Sequence, residues 1–143
     1  MSVEENKAIV RRFWEEIFNG RNLNLIEELF AAEHIQHGSG GRELNVEGMK
    51  QMLSMNFNAF PDLHVTIEDL FAEGDRVATR YIGRGTHKGE MMGIPPTGKQ
   101  VTAMGLVISR ILGGKFVETW DLMDQVGMLQ QLGVMPPRGQ SAT

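Results

Sequence analysis

The chain has 143 residues, 41% hydrophobic and 22% charged, which is ordinary for one globular domain. Its net charge of −4 supplies no basic patch for nucleic acid, and the absence of cysteine excludes disulfides, thiolate metal sites and cysteine nucleophiles. No apolar run of about 18 residues suits a membrane span, and the acidic N-terminus is unlike a signal peptide. We therefore expect a cytoplasmic protein that binds neither membrane nor nucleic acid.

Helices are predicted before the strands begin. Ser2 and Glu5 have capping-box spacing, and apolar residues then recur every three or four positions until Asn19-Gly20, where a left-handed stop is expected. Residues 33–42 lose this period and enter a glycine-rich stretch, which predicts a loop. The predicted helices span residues 2–19, from Asn22 or Asn24 to Phe30, and from about 47 to 60.

A period of two replaces the helical period after Pro61-Asp62. The predicted strands span residues 64–72, 76–86, 100–112 and 116–124. Strands this long must twist and curl, so helices packed on the concave side could leave a cavity. A closing helical turn is expected at 127–132. The pattern predicts one α+β domain over residues 1–135, with a flexible C-terminal tail at 136–143.

Two familiar kinds of site receive little support from the sequence. Residues 93–100 approximate a phosphate-binding loop, but two prolines remove backbone donors, Gln100 stands where a hydroxyl is needed, and a strand follows. His34 and His37 could share a helical face, but zincin spacing and an acidic cluster are missing, so no metal site is predicted. His37, beside the glycine-rich loop, and His87, at a strand end, are the better candidates for a ligand site.

Asp121 is the main candidate for acid/base chemistry. It follows Trp120 in a late strand and precedes a Leu-Met pair, and such apolar company raises a carboxyl pKa by desolvation. A carboxylate whose pKa is shifted towards neutral pH can remove an activated C–H proton and return it to another atom. Arg80 either lies on a solvated strand face or pairs with Asp121. The methionines, Met52 and Met104 among them, are either soft core residues or an adaptable pocket wall.

The order and spacing of several motifs over residues 4–133 resemble the SnoaL-like polyketide cyclases, also known as predicted ester cyclases. The motifs are Asn6-Lys7-Ala8-Ile9-Val10-Arg11-Arg12-Phe13 running on to His37, Phe60-Pro61-Asp62-Leu63 through Gly85-Thr86-His87-Lys88-Gly89, Gly93-Ile94-Pro95-Pro96-Thr97-Gly98-Lys99 through Trp120-Asp121, and Gly127-Met128-Leu129-Gln130-Gln131-Leu132-Gly133.

The resemblance implies an α+β cone, in which three N-terminal helices pack on a strongly curved, mainly antiparallel sheet around an internal pocket. It implies a small-molecule substrate, no metal or other cofactor, and a homodimer. The implied reaction is an intramolecular aldol closure of a polyketide ester. Asp121 falls on the family's catalytic base and acid.

The remaining site residues are implied with it. Pocket histidines fall on His37 and His87, and Arg80 lies on a strand that lines the pocket in relatives, so His37 and Arg80 are expected to stabilise an enolate. Trp14, Phe18 and Trp120 are expected in the apolar wall, together with Met52 and Met104.

Several alternatives stay open at this stage, because the same fold serves several functions. One is a ligand-binding or carrier protein without chemistry, and another is a structural dimerisation domain. Isomerase relatives use a tyrosine from the first helix, where this chain has Trp14 and Phe18. Epoxide hydrolases need an acid two residues after an arginine like Arg80, and this chain has Ile82 there. A dimer through the outer sheet face is also predicted, since long strands with apolar residues on both sides are expected to bury the outer side against a partner.

Overall fold

Long paired strands and the helices that precede them define the architecture of the computed structural model, which describes residues 2–136. Of the predicted tail, all but Pro136 lies outside the described residues. The helices are α1 (Val3–Arg12), which continues as a π-helix (Phe13–Asn19), α2 (Ile26–Leu29), α3 (Val46–Ala59) and α4 (Gln125–Gln131). The strands are β1 (Phe30–His37), β2 (Glu43–Leu44), β3 (His64–Glu73), β4 (Arg76–Thr86), β5 (Gln100–Leu112) and β6 (Lys115–Met123).

The first helix begins as the sequence predicts and ends differently. The Glu5 backbone N–H donates to Ser2 Oγ at 3.1 Å, and the Ser2 N–H donates to Glu5 Oε1 at 3.1 Å, which confirms the capping box. The left-handed residue after the helix is Arg21 (φ 61°), and Gly20 keeps a negative φ. The Arg21 guanidinium donates to three carbonyl oxygens, those of Phe18, Pro61 and Leu63, and these bonds hold the unusual backbone in place.

The sheet has six strands in the order β2-β1-β6-β5-β4-β3 and is open. Four of the strands are those that the sequence predicts, and all neighbours are antiparallel except β1 and β6, which are parallel. The prediction of a loop over residues 33–42 is wrong for residues 33–37, which belong to β1, and it is confirmed for residues 38–42, which form a short 3₁₀ turn and its flanks. The strand was missed because its pairing with β6 shifts register between Phe30 and Ile35, which breaks the period of two.

The strand alternation divides the sheet into two faces. On β5 the odd-numbered residues from Val101 to Ile111 are buried under the helices, whereas the even-numbered residues from Thr102 to Leu112 point to the outer face. The inner face and the helices share a core that includes Val10, Ile17, Ile26, Leu53 and Val77. Among the described helices, none is both long and apolar enough to cross a membrane.

Candidate functional site

A largely apolar cavity of about 420 Å³ lies between the helices and the inner face of the sheet. This volume falls within the range of ordinary small-molecule sites. Exposed lining residues, Met55 and Met92 among them, border its mouth. The buried apolar part of the lining includes Val10, Trp14, Phe18, Met49, Leu53 and Phe60.

Asp121 brings a carboxylate into this apolar cavity. It lies on the inner face of β6, opposite Val107 of β5. Among the described residues, its buried Oδ1 has no hydrogen-bond partner. Burial raises the Asp121 pKa to about 6, against a smaller lowering effect of the nearby Tyr81 hydroxyl. A carboxyl group with this pKa changes protonation close to neutral pH, as a general base and acid must.

Tyr81 is a site residue that the sequence analysis missed. Tyr81 and Asp121 both line the cavity, and burial first and the nearby Asp121 charge second raise the Tyr81 pKa, so the phenol stays protonated at neutral pH. The ring lies over Gly105 of β5 and packs on Trp14, with 4.8 Å between the ring centroids. The available signal was a glycine within a long alternating strand, which can mark close approach by another group.

Gly105→Ala is expected to displace Tyr81, because a Cβ at this position would overlap the tyrosine ring and hydroxyl. We expect a loss of about 1–3 kcal/mol in the free energy of unfolding, measured with urea. Gly83→Ala is the matched control on the same face, since its Cβ would meet no heavy atom closer than 3.8 Å. Equal stability of the two variants would contradict the close approach of Tyr81 to Gly105.

A second polar group lies deeper along the same face. Gln36 of β1, Thr119 of β6 and Ser109 of β5 are adjacent in register, are each less than a tenth exposed, and line the cavity. Behind them, His34 is fully buried, with its Nε2 at 2.9 Å from Thr119 Oγ1. These uncharged groups form the polar end of the cavity.

The structure brings four of the nine predicted site residues together. Asp121, Trp14, Phe18 and Met52 all line the cavity. The other five lie elsewhere, and strand alternation places four of them on the outer face, namely Arg80, Met104, Trp120 and His37.

Of the two alternatives left open for Arg80, the structure shows the solvated strand face and not the pairing with Asp121. Arg80 Nε donates to Asp69 Oδ2 at 2.6 Å on the outer face, where both side chains are partly exposed. A bulge in β3 between Ile67 and Asp69 turns Asp69 outward to meet Arg80. The expected Arg80 contact with an enolate in the cavity is therefore not available.

His37 and Trp120 also lie outside the cavity. They are side by side on the outer face, where their rings are stacked with 5.4 Å between the centroids. His37 Nε2 lies 2.7 Å from Glu118 Oε2, and His37 Nδ1 lies 3.2 Å from Glu43 Oε2. Their positions correct the prediction of an enolate donor at His37 and an apolar wall residue at Trp120. The idea that His34 and His37 share a helical face is wrong as well, because both lie on β1.

His87 and Met104 complete the corrections. His87 is fully buried outside the cavity lining, and its Nδ1 accepts from the Thr97 backbone N–H at 3.2 Å. It therefore anchors the loop before β5 and does not reach a ligand. Met104 is exposed on the outer face. Within residues 2–136, no group of three or more His, Asp or Glu side chains is placed to hold a metal ion.

Comparisons with known proteins agree with this fold. The structure matches AclR, a proposed hydroxylase from Streptomyces galilaeus, with a TM-score of 0.86 and 31% identity over 94% of this chain and 89% of that chain. It matches IdmH, a proposed polyketide cyclase from Streptomyces antibioticus, with a TM-score of 0.81 and 36% identity over 90% and 99% of the two chains.

A third match is a proposed polyketide cyclase from Acidithiobacillus ferrooxidans, with a TM-score of 0.81 and 32% identity over 93% and 98% of the two chains. A search of curated proteins found no match. The sequence profile of the SnoaL-like polyketide cyclases matches residues 8–132. The chain belongs to the SnoaL-like polyketide cyclase family, as its motifs predict, and it has the α+β fold of that family.

Proposed function

We propose that the protein is an enzyme that uses Asp121 as general base and then general acid on a small, largely apolar carbonyl compound, without a metal or other cofactor. The observation that carries this proposal is the buried Asp121 carboxylate in an apolar cavity, with one oxygen unpartnered among the described residues and a pKa raised to about 6. A fully hydrogen-bonded or solvated carboxylate would be a poorer base, because its charged form is stabilised before the substrate arrives.

The proposed reaction is an intramolecular aldol closure. Asp121 removes a proton from the carbon between two carbonyl groups, and the electron pair of the broken C–H bond forms an enolate. The enolate carbon then bonds to a second carbonyl carbon of the same molecule, whose oxygen becomes an alkoxide. The proton held by Asp121 passes to that oxygen, which leaves the carboxylate ready for another cycle. The apolar wall excludes water and holds the reacting ends together.

The Tyr81 phenol takes the donor role that the sequence had suggested for His37 and Arg80. It stays protonated at neutral pH and lies beside Asp121, so it can donate to the oxygen on which the enolate charge develops. As that charge forms, Asp121 becomes neutral, and the phenol loses its competing interaction with a carboxylate. The donor is therefore released for the substrate at the moment it is needed.

The experiment follows proton exchange in a simple β-keto ester, ethyl benzoylacetate, dissolved in deuterated buffer. An enzyme of this type is expected to raise deuterium uptake at the carbon between the carbonyls above the buffer rate. Uptake at the buffer rate, with the ester bound and recovered unchanged, would contradict catalysis and would support a carrier. The carrier is the second candidate function, since an apolar cavity of about 420 Å³ would serve it equally.

We also propose a homodimer formed through the outer sheet face. Apolar side chains from neighbouring strands stand in register there, with Leu106 paired to Leu122 and Met104 paired to Ile82. Leu106 is 50% exposed and Leu122 is 63% exposed. Contiguous exposed apolar surface of this kind usually marks an interaction site.

Leu106→Glu is expected to give single protomers, because a dimer of this variant would bury an unpaired carboxylate from each copy at the centre of the interface. We expect the dissociation constant to rise by about a hundredfold or more, which corresponds to about 3 kcal/mol. Analytical ultracentrifugation of the unaltered protein and the variant measures the change. Val126→Glu is the control, since Val126 is exposed on α4, away from the outer face. A monomeric unaltered protein, or a dimeric Leu106→Glu variant, would contradict the proposed interface.

A further inference from the structure

The polar end of the cavity has a hydrogen-bond arrangement that the acid/base proposal does not use. Gln36, Ser109 and Thr119 line the cavity from three neighbouring strands, and His34 stands behind Thr119. All four side chains are more than nine-tenths buried. Buried polar groups usually have partners, so a group of them that faces an otherwise apolar cavity calls for a ligand that carries a polar atom.

The proton of His34 decides what Thr119 can offer to that ligand. Burial lowers the His34 pKa to about 4, so the imidazole is neutral at neutral pH and carries one N–H. Among the described residues Nδ1 has no hydrogen-bond partner, whereas Nε2 faces Thr119 Oγ1 at 2.9 Å. A buried N–H without an acceptor is costly, which favours the tautomer with its proton on Nε2. Thr119 Oγ1 then accepts from His34, and its own hydroxyl proton is free for the cavity.

We propose that Thr119, positioned by His34, donates a hydrogen bond to a neutral carbonyl oxygen of the ligand. The inference rests on the proposed function, since it places that carbonyl beside the carbon on which Asp121 acts. Thr119 and Asp121 are two residues apart on one strand face, which separates their Cα atoms by roughly 7 Å. A carbonyl group bonded to the reacting carbon can reach both side chains across this distance.

The chemistry of the polar end identifies the ligand group. Gln36, Ser109 and Thr119 supply amide and hydroxyl groups and no positive charge, which suits a ketone or ester carbonyl better than a carboxylate or phosphate. Thr119 therefore selects compounds that have a second carbonyl in this position. Apolar molecules of the same shape that lack it would leave the polar end unpaired, at a cost in affinity.

The test compares binding of two probes, ethyl benzoylacetate and ethyl hydrocinnamate, which share a skeleton and differ in the ketone. Calorimetry is carried out on Asp121→Asn protein, so that turnover does not interfere. We expect this protein to prefer the keto ester, and Thr119→Val to lose about tenfold of that preference, the value of one hydrogen bond. Thr119→Ser keeps the hydroxyl and should restore the preference.

Thr79→Val is the matched control. Thr79 is also a buried threonine on the inner face, but it lies outside the cavity lining, and its hydroxyl has no partner among the described residues. Its loss should leave the preference for the keto ester unchanged. A preference that survives in Thr119→Val, or is absent before Thr119 is changed, overturns the proposal.

Nitrogen NMR of histidine-labelled protein tests the positioning role of His34. The expected signature is a neutral ring protonated at Nε2, with a shift that changes on binding the keto ester and does not change on binding the simple ester. A ring protonated at Nδ1 overturns the role. The outcome is separable from that of the proposed function, because loss of base catalysis at Asp121 would leave the binding preference intact, and loss of the preference would leave proton exchange in place.

Discussion

Asp121→Asn is expected to slow deuterium uptake by ethyl benzoylacetate by about 10²–10⁴-fold, the usual contribution of a positioned general base. Asparagine keeps the shape of the side chain and cannot accept the proton. Before substitution, kcat/KM should rise with pH through about 6, because only the ionised Asp121 carboxylate acts as the base. The variant should lose this rise, and its residual rate should follow that of the buffer.

Asp69→Asn is the matched control for this experiment, because it removes a carboxylate from the outer face, where Asp69 pairs with Arg80. It should retain both the rate and its pH dependence. Circular dichroism establishes that each variant is folded. Full exchange activity in folded Asp121→Asn protein would rule out Asp121 as the base and would leave the cavity as a binding site alone.

The same substitution is expected to make the protein more stable at neutral pH. Burial raises the Asp121 pKa from 3.8 to about 6, so the folded state favours the neutral carboxyl. The stabilising contribution of that proton is complete below the unfolded pKa and is lost as pH rises through the folded pKa. At 1.36 kcal/mol per pKa unit, the loss amounts to about 3 kcal/mol, and the uncharged amide of the Asp121→Asn variant avoids it.

Urea unfolding at about pH 4 and about pH 7.5, at one protomer concentration, measures this difference. The variant and the unaltered protein should be close in stability at the acidic pH and diverge at the higher one. Asp75→Asn removes an equal charge from the exposed turn before β4 and should show no such divergence. If the free energy of unfolding changed equally with pH in the Asp121→Asn variant and the unaltered protein, burial of the Asp121 carboxylate would not be costly. The catalytic carboxylate would then not lower the stability of the fold.

Sequence periodicity predicted the parts of the fold that depend on local pattern. The helix from Ser2, the third helix and the four long strands follow from apolar spacing, capping residues and turns, and the structure places them within a few residues of the predicted bounds. β1 could not be predicted in the same way, because its pairing is irregular and its partner β6 is distant in the chain. The apolar period carries no information about such a partner.

The site was predicted less completely than the fold. The resemblance implied Asp121, Trp14 and Phe18, whereas the methionine pattern left Met52 between core and pocket wall, and all four line the cavity. Arg80 is named in the sequence analysis because its charge suggests a partner for Asp121, and Tyr81 is not considered there. The alternation of side chains along β4 places Tyr81 on the inner face and Arg80 on the outer face. The charge of Arg80 was a poorer indicator of the Asp121 partner than strand alternation, because a buried carboxylate that must act as a base gains nothing from a permanent ion pair.

The parallel pairing of β1 with β6 has a consequence for how the protein is made. Gln36 and His34 reach the polar end of the cavity only when β1 docks beside β6, and His34 and Thr119 are 85 positions apart in the chain. Contacts of such separation close slowly, because the intervening chain must first be ordered. During synthesis β1 is made well before β6, so the binding site can be completed only after residues 115–123 have been made. A truncated chain that ends before β6 would lack the complete binding site. Ligand binding therefore indicates that the sheet has fully formed.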